Sequence, residues 1–457
     1  MNKRQKNSSR LLRQEAIHSI SRVRNIVITS FIVKLIIIAN IKGVDGKFLG
    51  GWLGADGENY LTGVNGLLRE GYLSNQQELL FWPAGYPILI WFLCKISLDN
   101  VFFLVSLLQS LFFAYSTFFF GRQLSFGKLQ RYTYAITIVL CFNPTLSLSS
   151  LTVGYESPIA SCMLLIIGLI IKYEREINEK KKVLIICAVG ITFALTVFMQ
   201  PRWILTTLVI AIYWALLQSQ RKSQALILVG LMGIMSLAPA TLITRNLAAN
   251  KNAVISTNLG ATMMLGAGDT TSGGYLHSGP KVPCNSNTSS QTASDNELVG
   301  CVISWYLENP AKSVVLFAKK SLHFWSPWYG PIANGTMARN PWLEINPFKF
   351  LADSGEWGKS ITFGLPGKVL SLLFMALSIV LLFQGFVWLY RQREIYRTIA
   401  YISVFPVLLS WLISMGTIGD HRFRVPTMGL SLFLQVVGMI IIFDKLNTLR
   451  QEKSPKL

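Results

Sequence analysis

"PAGYPILIWFLCKI", residues 83–96, is apolar enough for a membrane interior but short for crossing one. It has about 14 residues, and a full crossing takes roughly 20. Whether it crosses decides the side on which every later loop lies. The basic connectors answer the question, because cytoplasmic loops collect Lys and Arg. They lie around Arg122, Lys128 and Arg131; Lys180, Lys181 and Lys182; Arg221 and Lys222; and Arg391, Arg393 and Arg397. If 83–96 crossed, all of these would face outward. If it lies along the outer interface, all face the cytoplasm. They then share that side with the basic N-terminus (Lys3, Arg4, Lys6, Arg10, Arg13, Arg22 and Arg24 against Glu15) and with the tail carrying Lys445, Arg450, Lys453 and Lys456. The stretch therefore reads as an outer juxtamembrane helix in an all-α bundle of ten crossings, with both termini cytoplasmic.

Composition supports that solvent. Of 457 residues, 51% are apolar and only 14% charged, with a mean hydropathy of +0.44, outside the range of ordinary soluble domains. The predicted crossings are 26–41, 101–120, 132–150, 157–171, 183–199, 203–217, 225–243, 367–390, 398–415 and 425–443. No small-x-small cleavage site follows the first, so it reads as an uncleaved span rather than a signal peptide. The implied organisation is a basic cytoplasmic N-terminus (1–25) and an N-terminal transmembrane module (26–243) containing a first outer loop (42–100). A long outer loop (244–366), C-terminal transmembrane helices (367–443) and a cytoplasmic tail (444–457) follow. A third, short outer loop is "GTIGDHRFRVP" at 416–426. The net charge of +20 sits in connectors rather than on one patch, which speaks for membrane orientation and against nucleic acid.

Four cysteines (Cys94, Cys141, Cys162, Cys187) lie in apolar segments, where a thiol acts as a small hydrophobe. Cys284 and Cys301 flank the polar patch "CNSNTSSQTASDNE" in the long outer loop. On an oxidising face they form either a disulfide, worth about 3 kcal/mol in the chain-entropy account, or two free thiols. Lys34 inside the first span is either a functional charge or one that snorkels or packs in the bundle, and the sequence assigns it no role. His277 and His323 read as ordinary loop residues, and no zinc-ligand spacing is present.

On this topology, charged residues from distant parts of the chain gather at the outer membrane ends. "GADGENYLTGVNGLLREGYLS" (54–74) contributes Asp56 and Glu58, and "VGYESP" contributes Glu156. "FMQPRW" contributes Arg202, "TRN" Arg245 and Asn246, and "GDHRFRVP" Asp420, His421, Arg422 and Arg424. Each arginine alone could snorkel to headgroups. As a set, arginine forks suit phosphate oxygens. A carboxylate beside them suits a general base for an acceptor hydroxyl or amine, or can hold a divalent cation against a phosphate. The 56–58 spacing fits one ion only if the segment is extended, because on a helix the two side chains diverge by about 200°. From Tyr60 the pattern turns helical, placing the acids just before a short amphipathic helix. "YLENPAKSVVLFAKKSLHFWSPWYG" (306–330) reads as an interfacial helix, over a cleft or simply on lipid.

These motifs, in order, resemble those of the GT-C superfamily of membrane glycosyltransferases. The likeness is to the bacterial branch similar to protein O-mannosyltransferases and lipid A aminoarabinose transferases. "ADGENY", "PAGYP", "NPTLSLSSLTVGYESP", "QPRW" (with Pro and Arg in reversed order), "TRNLAANKNAVISTNLGATMMLGAGDTTSGGY", "ENPAKSVVLFAKKSLHFW" and "DHRFRVP" carry the resemblance over most of the chain. It implies a multi-pass plasma-membrane glycosyltransferase of hexosyltransferase type. Such an enzyme moves a sugar, with inversion, from a polyprenyl-phosphate donor to a protein, lipid or glycan acceptor on the outer face. Asp56 would be the base, with Glu58 and Glu156 assisting, and any metal, a divalent cation such as Mg or Mn, would be held by Asp56, Glu58 and Glu156. Arg202, Arg245, His421, Arg422 and Arg424 would hold the donor phosphate. The competing classes are a lipid-linked sugar transporter or flippase, a polysaccharide polymerase or ligase, and a non-enzymatic anchor. Transporters show matching halves and midplane charges, which are absent here, and an anchor has no use for converging acids and arginines.

Overall fold

A computed structural model of the chain describes residues 3–453, apart from 44, 55, 219, 275–281, 283, 285, 287, 289, 327–341, 343–345 and 393. The described chain is almost wholly helical. It opens with α1 (Lys3–Asn40), followed by the short helices α2 (Gly57–Glu70), α3 (Glu78–Phe81) and α4 (Gly85–Cys94). Next come α5 (Val101–Leu124), α6 (Gln130–Phe142), α7 (Pro144–Leu148), α8 (Glu156–Arg175), α9 (Glu179–Met199), α10 (Ile204–Leu216) and α11 (Arg221–Asn250). The long loop carries α12 (Leu259–Leu265), α13 (Gln291–Glu308), α14 (Pro310–Trp325), α15 (Pro347–Asp353) and α16 (Glu356–Phe363). Three long helices close the chain: α17 (Leu365–Arg391), α18 (Glu394–Gly416) and α19 (Val425–Lys453).

Among the described residues, eight helices are long and apolar enough to cross a membrane, nine if one bent pair counts as a span. The bent pair covers the predicted span 132–150. Pro144 opens α7 after Asn143, whose side chain caps the Leu146 amide at 2.9 Å, and the axis turns by 54°. The predicted span 203–217 is the shorter apolar run Pro201–Leu216. The stretch that set the topology, 83–96, is the ten-residue α4, well short of a crossing. Its start seats directly on the end of α9: a Cβ added at Gly85 would lie 1.8 Å from the Phe198 carbonyl. Glycine alone permits that approach.

Burial sorts the spans by position. α8 is apolar all round and its apolar window is 83% buried, packed among α5, α9 and α19 at the centre of the bundle. α11 and α17 are only 28% buried and turn Val229, Leu237, Leu373 and Leu377 outward, as helices facing lipid do. α17 and α19 cross at Gly385 and Gly438, where added Cβ atoms would meet Leu434 and Leu381 carbonyls at 2.0 and 2.1 Å. Small residues at such crossings let membrane helices pack closely. Lys34 is buried against the Phe113 ring, 4.0 Å from its centroid, so it packs in the bundle rather than snorkelling.

The tertiary link that matters for the site is small. β1 (Trp52–Leu53) pairs in parallel with β2 (Thr152–Val153), Trp52 opposite Thr152 and Leu53 opposite Val153. This ties the segment just before Asp56 to the one just before Glu156.

Candidate active site

Asp56 is the residue preceding α2, and its side chain makes no capping bond to the helix. It reaches across to Arg422 instead, with Oδ2 at 2.7 Å from Nη2. Glu156 opens α8, and its Oε1 accepts a hydrogen bond from Nε of the same guanidinium. One arginine from the turn before α19 thus bridges two carboxylates, one from the segment before α2 and one from the start of α8. The Arg422 side chain is 3% exposed, those of Asp56 and Glu156 12% and 13%.

The two supports of this triangle differ in kind. On the acid side, the Tyr86 hydroxyl accepts from the Gly154 amide at 2.8 Å and from Gln109 Nε2 at 2.9 Å. That pins the turn entering α8 to α4 and α5. On the arginine side, Asp420 Oδ1 accepts from the Arg422 amide at 2.8 Å and caps the 3-10 turn His421–Arg424. The Ser410 hydroxyl donates to the Phe423 carbonyl at 2.8 Å. Tyr60, one turn on from Asp56, stands edge-on to Tyr86, Tyr155 and Trp82, with centroids 5.3, 6.4 and 6.3 Å away. The Arg422 guanidinium lies 5.5 Å from the Tyr155 ring centroid. Burial first, and then the Asp56 carboxylate, push the Tyr60 hydroxyl well above its ordinary range, so it stays a neutral wall.

The remaining predicted residues separate. Arg202 joins the site: its guanidinium lies 4.2 Å from the centroid of Phe423, the residue after Arg422. Its Nη2 is buried without a hydrogen-bond partner, as is Nη1 of Arg422. His421 is buried beside Asp420, 3.7 Å from its Oδ1, beyond hydrogen-bond range. Arg424 turns the other way, donating to the Trp325 carbonyl at 3.0 Å with its Nε unpartnered. It forms part of the wall of a cavity of about 380 Å³ shared by Asn143, Ser371, Phe374, Met428 and Gln435. That cavity meets the charged site only through Arg424; neither acid nor Arg422 lines it.

Two expectations are corrected. Glu58 does not lie before the helix but in the first turn of α2, exposed and apart from Asp56, so Asp56, Glu58 and Glu156 do not converge. Among the described residues no group of three His, Cys, Asp or Glu side chains is placed to hold a metal ion. Arg245, expected at the donor phosphate, has its donors engaged elsewhere. It is buried and donates to the carbonyls of Tyr72 (3.3 Å) and Ser74 and to Asn246 Oδ1 (2.8 Å), stapling the segment that leads into α3. The Asn246 amide in turn holds the Val254 and Ile255 carbonyls at 2.9 and 3.0 Å. "TRN" is therefore a loop clamp.

Several participants carried weaker sequence signals. Tyr60 stands four residues after Asp56, one helical turn on, and Tyr155 adjoins Glu156. Tyr86 stands in "PAGYP" and Asp420 in "GDHRFRVP", but nothing local shows that the one holds the Gly154 amide and the other caps the Arg422 turn. In the long loop Cys284 and Cys301 are bridged, with Cα atoms 6.0 Å apart, under a small cluster with Ala267 and Val302. The interfacial segment expected at 306–330 divides at Asn309 between α13 and α14. Lys320 of α14 is buried, and its ammonium donates to the Tyr306 hydroxyl and to the carbonyls of Met415 and Thr417, holding the loop that leads to Asp420. His323 packs against the Ser272 carbonyl at 3.1 Å, and His277 lies outside the described residues.

No protein-family model matches the chain, and no curated protein matches it. Among solved structures it is similar to the oligosaccharyltransferase of Archaeoglobus fulgidus. The apo form aligns with a TM-score of 0.47 at 10% identity over 94% of this chain and 51% of that one. The form with Zn and sulfate gives 0.46 at 11% identity over 93% and 50%. The complex with an inhibitory peptide and a dolichol-phosphate gives 0.46 at 9% over 93% and 51%. The chain thus spans about half the length of the structures it matches. A likeness at this level carries no weight for the chemistry, which rests on the residues above.

Proposed function

We propose that the chain is a membrane glycosyltransferase of the GT-C kind. It would transfer a sugar from a polyprenyl-phosphate donor to an acceptor at the extracytoplasmic face of the plasma membrane. The observation that carries this reading is the bridge Asp56–Arg422–Glu156 with the Nη1 edge of Arg422 and the Nη2 of Arg202 buried and unpartnered beside it. Buried donors without partners are costly unless a ligand completes them. Two guanidinium edges together suit the oxygens of a phosphate.

The chemistry follows from those positions. Asp56 accepts the proton of the acceptor hydroxyl or amine as its heteroatom attacks the anomeric carbon. The bond from that carbon to the phosphate oxygen breaks in the same displacement, which inverts the centre. Negative charge grows on the leaving phosphate, where Arg422 and Arg202 stabilise it in a low-dielectric site. The leaving group is already an anion of low basicity, so no general acid is required. Glu156 fixes the angle of the Arg422 guanidinium. The cavity reached by Arg424, about 380 Å³, lies within the roughly 300–1,000 Å³ range of ligand pockets. Its Leu370, Phe374 and Met428 walls suit the isoprenoid part of the carrier.

The test is mass spectrometry of polyprenyl-phosphate sugars and surface glycans in cells with the gene, without it, and with only Asp56→Asn. Loss of one glycan with accumulation of one lipid-linked sugar, in the deletion and the Asn variant alike, is the expected result. Unchanged lipids and glycans in the deletion, or full complementation by the Asn variant, would sink the reading.

A further inference from the structure

We propose that the Arg422 guanidinium occupies the place between Asp56 and Glu156 that a divalent cation would otherwise take, and that transfer needs no such ion. The second half rests on the function proposed above; the first stands on the geometry alone. A cation at this site would be expected to bind the acids of the first outer loop and the start of α8. Of the three candidates, Glu58 is turned to solvent, leaving Asp56 and Glu156. Both already have an oxygen committed to the same arginine, one through Nη2 and one through Nε.

Charge balance makes that arrangement self-sufficient. Asp56 and Glu156 contribute two negative charges, Arg422 and the adjoining Arg202 two positive ones, so these four side chains balance one another without an ion. A dication entering beside Arg422 would meet its repulsion at close range. Displacing Arg422 instead would leave a buried guanidinium without its counter-charges, a state proteins avoid. The side chain also has little freedom to withdraw. Its amide is held by Asp420, the next carbonyl by Ser410, and the turn is clamped onward by Arg424 on the Trp325 carbonyl. Arg202 covers Phe423 from the other side.

The arginine also has the donors the role demands. A guanidinium carries five N–H groups in a planar fork. In Arg422 the Nε and Nη2 edges face the acids, while Nη1 is buried with no partner. One face neutralises the carboxylates and the other is presented to an anion. A metal ion bridging protein carboxylates to a phosphate would do the same two things.

Mn²⁺ binding to the purified full-length chain in lipid nanodiscs, followed by the electron paramagnetic resonance signal of free Mn²⁺, tests the first half without any activity assay. The wild-type chain is expected to sequester no Mn²⁺ through these acids. Arg422→Met should acquire a site at least about tenfold tighter, lost again in the Asp56→Asn/Arg422→Met double variant. One Mn²⁺ per wild-type chain, released by Glu156→Gln, overturns the proposal. So does a folded Arg422→Met that binds no more Mn²⁺ than wild type. Should that variant fail to fold, the wild-type titration decides, together with transfer measured after chelation. Transfer that persists in chelator supports the proposal; transfer abolished by chelator and restored by Mn²⁺ overturns it while leaving the glycosyltransferase reading intact. If no transfer exists at all, the Mn²⁺ titration still judges the site.

Discussion

Asp56 and Glu58 stand two positions apart and point to different surroundings, because Gly57 opens a helix between them. Asp56 is held against Arg422, whereas Glu58 meets solvent. Asp56→Asn is therefore expected to lower the transfer rate by about 10²–10⁴-fold, the usual contribution of a general base, with expression and insertion intact. Glu58→Gln should change it by less than about twofold, the scale of an exposed substitution. Rate measurements on the two variants side by side check this. Asp420 offers a pH signature. Burial pushes its carboxyl up to about 7, against the partial opposition of the Arg422 amide and guanidinium. The folded chain thus keeps a proton that the unfolded chain releases near pH 4. The stability tied to that proton is full below pH 4 and is lost as pH rises through about 7. Thermal unfolding in detergent should show stability falling across that window, and Asp420→Asn should remove this component.

At the scale of elements, the arginines divide by what their helices ask of them. Arg245 leaves the end of α11 and spends its donors on backbone carbonyls before α3. Arg245→Met should strand those buried acceptors, each worth about 1–3 kcal/mol. The expected outcome is a lower melting temperature with the KM for donor unchanged in the folded fraction. Arg202→Met should do the reverse, raising KM for the donor with little change in melting temperature. Thermal shift and steady-state kinetics on both variants separate the clamp from the ligand. The long loop has its own staple in Cys284–Cys301, separated by 17 positions. Removing it with paired serines should cost about 3 kcal/mol by loop-closure entropy, read as a fall in unfolding midpoint of the outer segment.

For the whole molecule the decisive quantity is sidedness, which hydropathy alone does not supply. The basic connectors predict a cytoplasmic Phe126, and the residue is exposed in the structure, between α5 and α6. A single cysteine at position 126 should resist an impermeant thiol reagent applied from outside and react after permeabilisation. Ready labelling of intact cells would overturn the assignment of sides on which the outer-face chemistry depends. The bundle itself was legible from apolar run length, since lipid demands that backbone groups be satisfied within each helix. Two of the ten predicted crossings were less regular than their hydropathy suggested. A proline after a capping asparagine bent one, and a 3-10 turn at Pro201 opened the other.

The residues by themselves determined which segments are apolar, where charge collects and which two cysteines lie outside the apolar segments, because hydropathy and charge accumulate locally along a segment. They also named Asp56, Glu156, Arg202 and Arg422 as candidates, because acids and arginines at apolar-segment ends are few. They did not tell Arg422 from Arg245, two arginines at equivalent-looking helix ends. Nor did they show that Glu58 turns away, which depends on the helix beginning at Gly57, three residues earlier than the apolar pattern suggests. Those outcomes were decided by tertiary structure: by the β1–β2 pairing, the Tyr86 anchor on Gly154 and the Asp420 cap on Arg422. The physical reason is that an ion pair between residues far apart in sequence has no local signature. It forms only where the packed helices bring the loops together and exclude the water that would otherwise solvate them.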